Sequence, residues 1–183
     1  MEGLNSFERA GLFVSLHAYL SWVASGGGEP PVEVFNFFES LGVELPREFG
    51  RETSEYVRNF RAGDSRDDLN PVARANLPNH LTAFYKASGY VSTEPADSLT
   101  SMTAFAARLA MDAYTAHVRG DGEADRVERQ LHRFIQTHLL PTLEHVKPPG
   151  KVFEETFDGL VRIVRLDTHF LAERLSRQRS SVA

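Results

Sequence analysis

Apolar positions recur along almost the whole chain with a helical period, and no stretch alternates apolar and polar residues long enough to make a strand. Asn5 and Glu8 have the spacing of a capping box, a side-chain acceptor followed three residues later by a carboxylate. Behind them Leu12, Leu16, Tyr19 and Val23 form a stripe that Phe13 and Leu20 widen, and Gly26-Gly27-Gly28 ends it. Pro30-Pro31 suits the first turn of a second helix, where a missing N–H costs nothing. That helix carries Val34, Phe35, Phe37, Phe38 and Leu41, with Gly42 placed for a left-handed cap. Pro46 opens a less regular segment with Phe49, Tyr56, Val57 and Phe60, closed by Gly63.

The run Gly63-Asp64-Ser65-Arg66-Asp67-Asp68 reads as a solvated acidic turn. Asn70-Pro71 restarts a helix, and Pro78-Asn79 is expected to break or re-cap it before residues 80–87. A long helix is expected from Asp97 to Arg119, with Leu99, Met102, Phe105, Ala106, Leu109 and Ala113 along one side. Gly120-Asp121-Gly122 turns the chain, with Asp121 available as the next N-cap. Val127, Leu131, Phe134, Ile135, His138 and Leu139 continue the period until Pro141, which is expected to kink or end the helix. After Pro148-Pro149-Gly150 a last helix buries Phe153, Phe157, Leu160, Val161, Val164, Leu171 and Leu175. The pattern predicts an all-α, single-domain bundle of about seven to nine helices over residues 1–183, with a frayed tail over 177–183.

Composition narrows the function classes. Of 183 residues, 42% are apolar, thirteen are phenylalanine and none is cysteine, so a core is possible while disulfides and thiolate chemistry are excluded. The net charge of −5, without a basic stripe, speaks against nucleic acid. No apolar run is long enough to span a bilayer. Glu2 and Glu8 around Phe7 predict no secretory signal, and a cytoplasmic protein is expected.

Catalytic and metal patterns are missing. His132, His138 and His145 are the closest histidine set, but their spacings are six and seven, Pro141 interrupts the second and the H-E-x-x-H arrangement is missing, so no metal is expected. No phosphate-binding glycine loop or nucleophile elbow is present, so no cofactor and no enzymatic activity are expected. The stretch from Tyr85 to Leu99 stands out instead. There one helix ends at Gly89, Glu94-Pro95-Ala96-Asp97 follows, and the long helix begins. Glu94 and Asp97 can act as helix-start acids. They can also accept guanidinium groups beside the apolar area of Tyr85, Tyr90, Val91 and Leu99.

The same stretch carries a family resemblance. Phe84-Tyr85-Lys86-Ala87-Ser88-Gly89-Tyr90, then Glu94-Pro95-Ala96-Asp97-Ser98, then Phe105, and further on Phe134-Ile135-Gln136-Thr137-His138-Leu139-Leu140-Pro141 resemble motifs of the TorD/DmsD/NarJ family of redox-enzyme maturation chaperones. Ser98 stands where the family usually has histidine, and Met102 replaces a usual glutamate. The resemblance implies a non-enzymatic, TorD-like cytoplasmic chaperone, monomeric or homodimeric. Its partner would be the catalytic subunit of a molybdenum oxidoreductase with its twin-arginine leader, held back from export until the cofactor is inserted. Tyr85, Tyr90, Glu94, Asp97, Leu99 and His138 would then bind the leader, and Gly89, Pro95, Ser98, Phe105, Phe134 and Pro141 would form the hinge and motif framework. A helical adaptor or assembly subunit that never reads a leader is the alternative.

Overall fold

A computed structural model describes residues 3–180, with side chains to residue 177. It is all-helical, with no strand among the described residues and a single compact body. The helices are α1 (Ser6–Ala24), α2 (Val32–Ser40), α3 (Arg51–Asn59), α4 (Ala62–Ser65), α5 (Pro71–Ala87), α6 (Leu99–Arg119), α7 (Ala124–Phe134), α8 (Leu140–Glu144) and α9 (Lys151–Ser180). A π-helical turn, Ile135–Leu139, joins α7 to α8 so that the three run as one rod. None of the described helices is long and apolar enough to cross a membrane. Most of the expected frayed tail over 177–183 lies outside the residues whose side chains are described; α9 stays helical through Ser180.

Helix α1 is central. The capping box forms as its sequence dictates, with Glu8 N–H donating to Asn5 and Asn5 N–H to the Glu8 carboxylate. Leu12, Phe13, Leu16, Tyr19, Leu20 and Val23 are all buried. The helix packs most extensively on α6 and also meets α2 and α3, while α7 covers α6 and α9 covers α7 and α8. Two glycines set how closely neighbours approach. Phe37 of α2 comes within 3.1 Å of where a side chain on Gly11 would begin, and Val43 comes within 3.3 Å of the same point on Gly159 of α9.

Inside this frame lies a charge network. Arg9 of α1, only 3% exposed, donates from Nε and Nη2 to the Asp167 carboxylate of α9 at 2.8 Å each. Its Nη1 lies 3.7 Å from Glu128 of α7, and Glu128 also pairs with Arg174 of α9. Burial raises the pKa of Asp167, and the Arg9 guanidinium opposes that rise. The buried Arg9 and the half-buried Arg174 thus meet two buried carboxylates.

Several local expectations are corrected. Pro78 does not break its helix, since α5 runs through it from Pro71 to Ala87. A proline there removes the N–H that would have bonded the Arg74 carbonyl. That carbonyl lies 3.3 Å from where a side chain on Gly63 would begin, so α4 packs against the gap through a glycine. Pro141 likewise neither ends nor sharply interrupts its rod. The π turn widens the helix ahead of it, with Leu140 N–H donating to Ile135 O five residues back, and this relieves the ring's clash with the preceding turn. Residues 63–68 are not a purely solvated turn, because α4 occupies part of them and Arg66 is buried with its guanidinium forked onto Asp68. The cap position of α7 is Glu123, and Asp121 instead accepts the Glu123 N–H from two residues back.

Removing one member of the central network leaves a buried charge uncompensated. Asp167→Ala is expected to lower unfolding free energy by about 3–5 kcal/mol. Urea titration followed by circular dichroism measures this, and a loss below about 1 kcal/mol would show the pair to be dispensable.

Candidate functional site

The connection between α5 and α6 begins with a left-handed cap. Gly89 has φ 67°, a value that favours glycine, and the Tyr90 N–H donates to Tyr85 O at 2.9 Å. Tyr85 straps the far end of the connection, its hydroxyl donating to Ala96 O at 2.7 Å. Burial pushes the Tyr85 hydroxyl pKa far up, with Tyr90 and Asp97 adding to the rise. Ser88 accepts a hydrogen bond from the Gln130 side chain of α7. The connection is therefore tied down at both ends.

The start of α6 differs from the sequence expectation. Ser98, not Asp97, is the N-cap, its hydroxyl accepting the Ser101 N–H at 3.1 Å. Ser92, Ser98, Thr100 and Ser101 form a hydroxyl cluster around this cap, and Thr100 donates to Glu94. Where the family resemblance leads one to expect histidine, this chain has a capping hydroxyl. Asp97 faces the other way. It is buried, its carboxylate accepts the Gly63 N–H at 3.1 Å and its carbonyl accepts the Ala62 N–H at 2.9 Å. It therefore fastens α4 to the start of α6.

The residues singled out from sequence thus separate into three environments. Tyr85, Leu99, Phe105 and Phe134 are core. The three rings form a continuous cluster of tilted and edge-on pairs, with Tyr85 to Phe105 at 4.6 Å and Phe105 to Phe134 at 4.8 Å between centroids. Glu94 and Pro95 are exposed, Val91 is 83% exposed and Tyr90 is half-buried against Tyr85 and Phe105, so these residues form the accessible rim. Burial, with Glu94 in second place, raises the Tyr90 pKa. His138 lies apart from that rim in the π turn, with Pro141 just beyond. Its ring meets Phe84, Phe134 and His80, the last at 5.0 Å.

His138 is buried and neither ring nitrogen has a partner. Burial, followed by the neighbouring His80, Arg66 and Arg133, pushes its pKa down to about 4. With Arg66 and His80 it lines a cavity of about 250 Å³ between α5 and the π turn.

A further concavity was missed from sequence. A groove of about 660 Å³ runs between α2, residues 42–48 and α9. Glu39, Glu44, Glu48 and Glu155 line it against Arg47 and Arg162, so its formal charge is −2 by four carboxylates less two guanidiniums. The 63% exposed Val152 gives it apolar surface, and Phe35, Val43 and Leu45 form its buried floor. Arg47 is partly occupied, its guanidinium lying 5.0 Å over the Phe35 ring. The glutamates at 39, 44 and 48 on either side of Gly42 were the available signal, but only the fold brings Glu155 and Val152 beside them.

His132, His138 and His145 do not converge. Among the described residues the trio with metal-ligand geometry is Asp67, Asp68 and His145. Arg66 engages both Asp68 oxygens at 2.6 Å, a contact that lowers the Asp68 pKa. His145 bridges the Pro141 carbonyl at 2.7 Å and Asp67 at 2.9 Å, so existing hydrogen bonds account for the trio. A scan against protein-family models finds no match to this chain. A search of curated proteins finds no match either.

Two outcomes follow from these environments. Asp97→Ala removes the acceptor of the Gly63 N–H and is expected to lower stability by about 1–3 kcal/mol in urea unfolding, while Asp97→Asn retains an acceptor and most of the stability. The depressed pKa of His138 means that the unfolded chain binds the extra proton between about pH 4 and 6.5, so stability is full above that window and falls as pH falls through it. The His138 share of that fall is about 2 kcal/mol between pH 7.5 and pH 5. His138→Phe should remove it, leaving the smaller contributions of His17 and His132, whose pKa values burial also lowers.

Proposed function

We propose that this protein is a non-enzymatic cytoplasmic chaperone that binds the twin-arginine leader of a molybdenum oxidoreductase catalytic subunit, delaying export until the cofactor is inserted. The motif order from Phe84 to Pro141 supports that reading through its resemblance to the TorD/DmsD/NarJ family. The observation that carries it is the groove between α2 and α9, which combines four glutamates with apolar surface. A leader presents an arginine pair followed by an apolar segment. Carboxylates receive guanidinium groups through paired hydrogen bonds, and the apolar segment lies against the exposed Val152.

The Tyr85–Leu99 region then has a different part from the one its acids first indicated. Asp97, Tyr85 and Leu99 are buried and act as framework, so of the leader contacts expected there Tyr90 and Glu94 are the ones within reach of a ligand. The 88–98 connection is the hinge that fixes α4 and α5 against α6.

Fluorescence titration with a labelled leader peptide tests the proposal. A Glu44→Gln, Glu48→Gln double variant is expected to weaken binding by about 10-fold or more, and Glu94→Gln by less than about 3-fold. Replacing the two leader arginines by lysine should also weaken it, because lysine lacks the planar fork. No measurable binding of the leader by the native chain would overturn the reading and favour the adaptor.

A further inference from the structure

The cavity between α5, Arg66 and the π turn has no part in the leader groove, yet it is built like a ligand site. Leu69, Ala73 and Leu77 form an apolar wall, and Arg66, His80 and His138 form a polar one. Arg66 and His138 are each more than nine-tenths buried. Asp68 takes Nε and Nη2 of Arg66 and leaves Nη1 bare, while both nitrogens of His138 are bare. Buried donors of this kind almost always have acceptors. The charged groups around His138 are Arg66, Arg133 and, when protonated, His80, and the nearby carboxylate of Asp68 is already engaged by Arg66. The bare Arg66 Nη1 and the one N–H of the neutral His138 ring, without a free carboxylate beside them, favour an incoming anion. The π turn that swings His138 toward α5 is itself a feature that recurs at functional sites.

We propose that this cavity binds a small organic carboxylate, whose head group accepts hydrogen bonds from Arg66 Nη1 and one His138 ring N–H while its short apolar tail lies against Leu69, Ala73 and Leu77. A carboxylate has two oxygens to share between two donors on different elements. The volume of about 250 Å³ lies below the range of drug-sized pockets, about 300–1,000 Å³, which fits an acid of few carbons. Binding would lock residues 66–69 to the rod formed by α7, the π turn and α8.

The test is a titration of the full chain with butyrate, followed by the ring-nitrogen resonances of His138 in histidine-labelled protein, with 1-butanol and sulfate as parallel arms. Saturable shifts at a Kd of about 1 mM are expected for butyrate, and binding about 10-fold weaker for each of the other two. Arg66→Gln should weaken butyrate by about 10-fold. Because Arg66 also holds Asp68, His138→Phe is the companion variant, since it keeps the ring contacts to Phe84 and Phe134 while removing the donor; there the backbone amide shifts of residues 66–69 report binding, with the same loss expected. Absence of any His138 response to butyrate would make the cavity a hydrated gap in the packing and overturn the proposal. Equal binding of 1-butanol would show an apolar hole with no anion site, and equal binding of sulfate would overturn the assignment to carboxylates. None of these readouts depends on whether a leader peptide binds.

Discussion

The buried contact between Arg9 and Asp167 sets the relation on which the outer surface depends. Helix α1 carries α2 and α3, and α9 closes over α7 and α8. Apolar packing alone would let these helices slide, because hydrophobic contact has no direction. A forked guanidinium–carboxylate pair at 2.8 Å has direction, and Glu128 and Arg174 extend it to α7. Such a network adds little net stability over a well-packed apolar substitute, and its value here is registration. Because α2 rests on α1 through Gly11 and the 42–48 segment rests on α9 through Gly159, the geometry between α1 and α9 becomes the geometry of the acidic groove.

Interior prolines impose a second constraint, and the chain meets it in two ways. At Pro78 the helix continues and the gap is covered by α4, where Gly63 leaves room for the Arg74 carbonyl and Asp97 holds the turn in place. At Pro141 the helix widens into a π turn before the ring. Both solutions lie beside the same space, the cavity lined by Arg66, His80 and His138. Helical irregularity, buried unpaired donors and a cavity therefore coincide in one region of an otherwise regular bundle.

Much of the fold was legible because it is written locally. The capping box at Asn5 and Glu8, the left-handed glycines at 42, 89 and 120, and the Phe and Leu stripes each depend on neighbours a few residues away. The prolines misled for the opposite reason. Whether a proline ends a helix depends on what packs against its unpaired carbonyl, and that information lies in Gly63 and Asp97, distant in sequence. The acids of the 88–98 connection were readable as acids but not as separate roles, since a buried α4 clasp at Asp97 and an exposed Glu94 look alike in a string of residues. The groove was least legible, because Glu155 lies more than a hundred positions beyond Glu39, Glu44 and Glu48.

Hydrogen exchange of the backbone amides, read by mass spectrometry with and without a twin-arginine leader peptide, addresses the central claim most directly. Peptide-dependent protection over residues 39–48 and 152–162 is the result expected of a leader seated between α2 and α9. Protection confined to residues 88–100, or none anywhere, would contradict it.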